Sequence, residues 1–360
     1  MSLHAKSTLL CVAALLAVLA SAAVQLPKFD SMVVFGDDNS DTGNTFKMTN
    51  NTYPPSGTSV LYDNGRFSNG QMWLEYLANF LNPTSPSATL PVLNFAFAGA
   101  TTNSALVKGY TGTNGNIVAK SVDVQLGIYE QYLKVVPAGR APATLFVVWA
   151  GMNDFLFEPT PAAPTATPAA VASSVLAIVK RIDDIAATYK LPLHHIVVMG
   201  MPSLSVFPGL KRFPVAQDMF RSLVLAYEAD LLTRLPKQVG SRFGSDVFHA
   251  DTFVLMRSAL ENPSQFNIPK PMTQGLTNTD SCIQTDPDTN KLTMCLQPAA
   301  HIFWDDWHFA TRFHRILARS VSGIYGIQIE PLPMPGADNK EVPSSQGNGT
   351  STIVAPNSGN

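Results

Sequence analysis

The strongest constraint on the fold is a repeated alternation in which a short apolar run is followed by a stretch of helical periodicity. Met32-Val33-Val34-Phe35, ending in Gly36, reads as a buried strand, and Trp73 to Leu81 as a helix. Asn94-Phe95-Ala96-Phe97 is a second strand and Val122 to Val135 a helix. Leu145-Phe146-Val147-Val148-Trp149 is a third strand. The helix after it places Val171, Val175, Ile178, Ile182, Ile185 and Tyr189 on one apolar stripe. Ile196-Val197-Val198-Met199 is the fourth strand, followed by a helix from Val215 to Leu235. Val247-Phe248 and Phe253-Val254 bracket a weaker fifth, and Thr311 to Ile324 closes with a helix. Strands apolar on both faces belong in a parallel sheet covered on both sides. The expected fold class is therefore α/β, a three-layer α/β/α domain with about five parallel strands.

Composition narrows the function classes. Of the 360 residues only 14% are charged and the net charge is -2, which excludes a nucleic-acid-binding arm and any general attraction to anionic lipid. Lys6 leads into an unbroken apolar run from Leu9 to Ala20, 12 residues long and too short to span a bilayer. Ala20-Ser21-Ala22 supplies the small residues that signal peptidase accepts. The expected organisation is a signal peptide over 1–22, a single α/β domain over 23–330 and a disordered tail over 331–360, which is rich in Pro, Gly, Ser and Asn. The mature protein is expected to be secreted and extracellular, without a membrane anchor. The sequence carries no signal for an oligomeric state.

Beyond the leader only Cys282 and Cys295 remain, a pair that can close a loop of 14 residues as a disulfide in an oxidising compartment. Neither has the His or Cys neighbours of a zinc cluster, and no metal or organic cofactor is implied. Asn50-Asn51-Thr52 and Asn348-Gly349-Thr350 are glycosylation acceptors for an exported chain, at Asn50 and Asn348.

Open parallel sheets bind ligands at the carboxyl ends of their strands. Here the first strand is followed by Gly36-Asp37-Asp38-Asn39-Ser40-Asp41-Thr42-Gly43-Asn44 and the second by Gly99-Ala100-Thr101. The third is followed by Gly151-Met152-Asn153-Asp154, and near the C-terminus stands Phe303-Trp304-Asp305-Asp306-Trp307-His308. With Asn64-Gly65-Arg66-Phe67-Ser68-Asn69-Gly70, which lies between the first two, these five motifs in chain order resemble the GDSL-type esterases and lipases, or SGNH hydrolases. The resemblance runs from about Phe29 to Ile327. It is greatest to the secreted fungal branch often classed with carbohydrate acetylesterases.

The resemblance implies acyl transfer on a small-molecule or carbohydrate ester. It makes His308 the general base, Asp305 its orienter, and the Gly99 N–H and Asn153 amide the oxyanion donors. It also implies a serine nucleophile, but that position holds Asp38. A carboxylate there is already ionised at neutral pH, favours imidazolium at His308, and gives an anhydride if it attacks an ester.

Three readings stay open. In the first, the protein is an ester hydrolase in which Asp38 is a base toward water, with Ser40 a remote substitute nucleophile. In the second, Asp38 attacks a saturated carbon and His308-activated water cleaves the resulting ester, as in dehalogenases and epoxide hydrolases of another fold. In the third, the pocket binds a sugar or acyl ester without turnover. Asp37, Asp41 and Asn44 read as turn and cap residues, Arg66 and Asn69 as loop braces. Trp304 and Trp307 read equally as sugar-stacking walls or packing. His194, His195, His249, His301 and His314 read as structural.

Overall fold

The structure, a computed structural model, describes residues 28–55, 61–82, 89–136, 143–157, 166–191, 194–211, 213–239, 247–272, 277–285 and 292–327. The expected leader, the tail and Asn348 lie outside the described residues.

Among the described residues nine strands form three sheets: β1 (Ser31–Gly36), β2 (Val92–Asn94), β3 (Tyr110–Thr111), β4 (Ile117–Val118), β5 (Thr144–Trp149), β6 (His194–Met199), β7 (Val247–Ala250), β8 (Ile283–Thr285) and β9 (Leu292–Met294). The central sheet has the order β2-β1-β5-β6-β7, and all its pairings are parallel. Numbered among themselves, its strands run 2-1-3-4-5, so the order reverses between β1 and β5. That crevice is where a doubly wound sheet leaves room for a ligand.

The helices are α1 (Asn44–Met48), α2 (Trp73–Phe80), α3 (Val122–Val135), α4 (Met152–Leu156), α5 (Pro168–Thr188), α6 (Pro214–Val239), α7 (Thr252–Glu261) and α8 (Thr311–Ile324). The two sheet faces follow from side-chain alternation. Phe35 and Phe146 meet Tyr129 of α3 at ring distances of 5.8 Å each, and α3 packs on α5, which packs on α6. Trp149 points the other way, edge-on to Trp73 of α2 and stacked on Phe309, and α2 packs on α8. β1 and β5 are buried on both faces along their whole length, each large aliphatic side chain contributing about 1.5–3 kcal/mol.

Two strand boundaries differ from the sequence reading. The second strand is Val92–Asn94, not Asn94 to Phe97. Asn94 Oδ1 accepts the Ala96 N–H at 3.0 Å, a side-chain turn that bends the chain off the ladder. Phe253-Val254 lies in α7 rather than at a strand, because Asp251 caps that helix by accepting the Val254 N–H at 2.8 Å. The two hairpins β3–β4 and β8–β9 were not anticipated. The second is closed by a Cys282–Cys295 disulfide.

Candidate active site

β1 ends at Gly36, whose N–H donates to Gln125 Oε1 at 3.0 Å and whose carbonyl accepts from Gln125 Nε2 at 2.8 Å. This buried amide on α3 completes the last rung of the strand and sets where the following turn begins. Ser40 N–H returns to the Asp37 carbonyl, and the Asn39 N–H donates to Asp37 Oδ1 at 3.0 Å. The Asp37 carboxyl lies well above the usual carboxylate range, because it is buried and then because Asp38 adjoins it. Asp41 accepts the N–H groups of Gly43, Asn44, Thr45 and Ala98, and so joins the turn to the loop after β2. Asn44 Nδ2 donates to the carbonyls of Asn94 and Ala96 at 2.9 Å each.

The Asp38 side chain points into the crevice. Its Oδ1 accepts the Gly99 N–H at 3.0 Å and the Asn153 Nδ2 at 2.9 Å. Gly99 can present its N–H there because its φ is +75° and because a Cβ would sit 2.0 Å from the Tyr110 carbonyl oxygen. Asn153 stands in the first turn of α4, just after β5, and also donates to the Ala100 carbonyl at 3.2 Å. Asp154 ties the two loops together by accepting the Thr102 N–H and hydroxyl at 2.8 and 2.6 Å.

His308 approaches from the loop before α8. Its Nε2 is 3.9 Å from Asp38 Oδ2, within ion-pair range and beyond a hydrogen bond. Its Nδ1 lies 2.7 Å from Asp305 Oδ2. Asp305 Oδ1 accepts the Trp307 and His308 backbone N–H groups at 2.8 Å each, and Oδ2 accepts the Tyr62 hydroxyl at 2.6 Å. Burial favours neutral forms of both groups. It is outweighed at Asp305 by the His308 charge and hydrogen bond, which hold the carboxyl low. At His308 it is outweighed by Asp305 first and Asp38 next, which hold the imidazole above its ordinary value.

The loop carrying this pair is braced from outside. Cys282 N–H donates to the Phe303 carbonyl and Ile283 N–H to the Trp304 carbonyl, so the disulfide hairpin lies along it. Arg66 makes a two-pronged bond to Glu75 at 2.9 and 2.7 Å, and Asn69 Oδ1 accepts the Thr311 N–H at 2.8 Å. Phe67 places its ring 5.0 Å from that of His308.

The structure thus brings Asp38, Gly99, Asn153, Asp305 and His308 into one crevice. Ser40 is set apart: it is fully buried, and its hydroxyl accepts the Trp73 indole N–H at 3.2 Å. Trp304 is fully buried in the packing around the disulfide and offers no stacking wall. Trp307 is packed over Gly209, where a Cβ would meet its ring at 2.4 Å. Tyr62 and Gln125 escaped the sequence reading; neither belongs to a motif, and only tertiary contact gives them a part. Among the described residues no group of His, Cys, Asp and Glu could hold a metal ion, and no helix is long and apolar enough to cross a membrane.

A doubly wound sheet whose switch-point crevice holds two convergent oxyanion donors and an aspartate-oriented histidine is a scaffold of carboxylic ester hydrolases. Residues 32–321 match the family described as GDSL-like Lipase/Acylhydrolase, and the chain belongs to that family. It is 28% identical to a GDSL esterase/lipase of Arabidopsis thaliana, over 80% of this chain and 88% of the relative. It is 26% identical to the thermolabile hemolysin of Vibrio parahaemolyticus, over 83% of this chain and 65% of the relative. It is 25% identical to the phosphatidylcholine-sterol acyltransferase of Aeromonas hydrophila, over 91% and 99%. Among solved structures, a mutant of an acetyl-xylooligosaccharide esterase from Geobacillus Stearmophilus is similar with a TM-score of 0.45 and 13% identity, covering 83% of this chain and 95% of that one.

Proposed function

We propose that this protein hydrolyses small carboxylic esters by direct attack of water, with Asp38 standing where relatives carry a serine nucleophile. The observation that carries this reading is the convergence on one point of the Gly99 and Asn153 donors and the Asp38–His308 pair. Asp38 is the base that takes the proton of the attacking water. His308, held above its ordinary value, is the acid that protonates the leaving alkoxide, with Asp305 orienting it. Gly99 and Asn153 stabilise the oxyanion once the substrate carbonyl has displaced Asp38 Oδ1 from them. That exchange gives up two hydrogen bonds to a carboxylate, so turnover is slow. The Asp38 and His308 side chains are only 8% and 14% exposed, which favours a small acyl group, acetylated carbohydrate among the candidates.

A second reading, binding without turnover, is favoured by one fact: Asp38 Oδ1 already fills the cradle that a substrate carbonyl needs. Short-chain chromogenic and acetyl-sugar esters offered to the wild type, His308→Ala and Asp38→Ser separate the two. Wild-type turnover abolished by His308→Ala supports hydrolysis. A silent wild type with an active Asp38→Ser supports binding.

We propose as well that the chain is exported after removal of residues 1–22 and is glycosylated. The Cys282–Cys295 disulfide and the exposed position of Asn50 support this. Intact mass and N-terminal sequencing of the protein from culture medium test it.

A further inference from the structure

We propose a second activity for this crevice, the hydrolysis of small epoxides through an ester formed on Asp38 itself. It is independent of the ester-hydrolysis reading, because here Asp38 makes the bond to substrate instead of activating water.

The two oxygens of the Asp38 carboxylate are placed differently. Oδ1 is held by the Gly99 N–H at 3.0 Å and the Asn153 amide at 2.9 Å. Among the described residues Oδ2 has no hydrogen bond, and it faces the His308 Nε2 at 3.9 Å. One oxygen is thus fixed and the other is free to attack. His308 Nε2, 3.9 Å from that free oxygen, is placed to hand a proton to a molecule bound there.

Had Asp38 merely filled space, Oδ1 in the cradle would be a dead end. For an ester of Asp38 it is the productive placement. The carbonyl oxygen of that ester would be Oδ1, already in contact with the two donors that stabilise an oxyanion. The cradle then serves the breakdown of the enzyme's own ester.

The steps balance. Oδ2 attacks a ring carbon, the carbon–oxygen bond of the epoxide breaks, and the alkoxide takes the proton of His308. This leaves a hydroxyalkyl ester on Asp38 and a neutral imidazole. That imidazole, oriented by Asp305 at 2.7 Å, takes a proton from water as the water attacks Cγ. The negative charge develops on Oδ1 against Gly99 and Asn153. Collapse expels the second alkoxide, which takes the proton from His308 and leaves as the diol. The new carboxyl returns its proton to His308, and nothing beyond epoxide and water is consumed.

Epoxides fit better than alkyl halides, because the leaving oxygen needs a proton and the site supplies one. A halide would need N–H groups around it, and the indoles of Trp73 and Trp149 already donate to Ser40 and to the Gly200 carbonyl. The low exposure of the Asp38 and His308 side chains favours small terminal epoxides.

The test is a single turnover of the full-length protein with propylene oxide, styrene oxide and a glycidyl ether in water carrying heavy oxygen. The expected result is diol whose first-turnover oxygen comes from the protein, with heavy oxygen recovered on the peptide containing Asp38. Asp38→Asn, which retains Oδ1 as an acceptor, is expected to lose all conversion. His308→Gln, which removes both the acid of ring opening and the base of ester hydrolysis, is expected to abolish diol formation. Heavy oxygen in the first-turnover diol and none on Asp38 would overturn the proposal, as would absence of both diol and adduct for every epoxide. Ester turnover measured alongside keeps the two activities apart, since Asp38→Ser is expected to raise it while abolishing diol formation.

Discussion

The side-chain amide of Asn153 donates to Asp38 Oδ1 at 2.9 Å, so a donor suited to a substrate oxyanion is engaged by the protein's own carboxylate. The Gly99 N–H does the same from the other side at 3.0 Å. The cradle is therefore formed and polarised but occupied, and the expected effects of substitution follow from that.

Asp38→Ser should both empty the cradle and supply a hydroxyl beside His308. Turnover of a short-chain chromogenic ester is expected to rise by about ten-fold or more over wild type. Asn153→Ala in the Asp38→Ser background should then lower kcat by about a hundredfold with a smaller effect on KM. An unchanged kcat for that double variant would mean that the cradle is not acting on the ester.

The His308 ring is expected to titrate above an ordinary histidine, and Asp38→Asn should lower its midpoint by removing one of the charges that hold it up. Ring-proton NMR against pH checks this. An unchanged midpoint would mean that the 3.9 Å contact carries no electrostatic coupling.

The Asp305–His308 pair also makes stability depend on pH. His308 has its value raised from 6.5, so its contribution is complete below that value and is lost as pH rises through the raised one. Asp305 has its value lowered from 3.8, so its contribution is complete above that value and is lost as pH falls through the lowered one. The destabilisation caused by Asp305→Asn should be greatest between these two ordinary values and shrink on either side. Thermal unfolding of both proteins across the pH range measures it.

Gly99→Ala is expected to destabilise the fold by about 3 kcal/mol, since the added methyl meets the Tyr110 carbonyl at 2.0 Å on a backbone of φ +75°. Denaturant unfolding reads the cost. A near-neutral result would mean that the loop relaxes freely, which the bonds from Asp41 and Asp154 to its neighbours argue against.

Reduction of Cys282–Cys295, which closes a loop across a sequence separation of 13, should cost about 3 kcal/mol. Because the hairpin bonds to the Phe303 and Trp304 carbonyls, it should also loosen the Asp305–His308 loop. Hydrogen exchange at the Trp307 and His308 amides is expected to speed up on reduction. A fall in stability without that local change would make the disulfide a global staple only.

Much of this molecule was legible in the chain. The helices Val122–Val135 and Thr311–Ile324 have the boundaries their periodicity implies, and three of the five sheet strands overlay their apolar runs. Residue periodicity is a local property, and burial on both faces leaves it unbroken. The motifs at the ends of β1, β2 and β5 could also be read, because parallel strands bring their carboxyl ends to one edge. Where a side chain turned the backbone, as at Asn94 and Asp251, local pattern failed, since a single hydrogen bond outweighed propensity. Only the tertiary structure decided that Tyr62 meets Asp305, that Ser40 is spent on Trp73, and which oxygen of Asp38 enters the cradle. Those are choices of direction and distance between segments far apart in the chain, and they are made by packing after the local elements have formed.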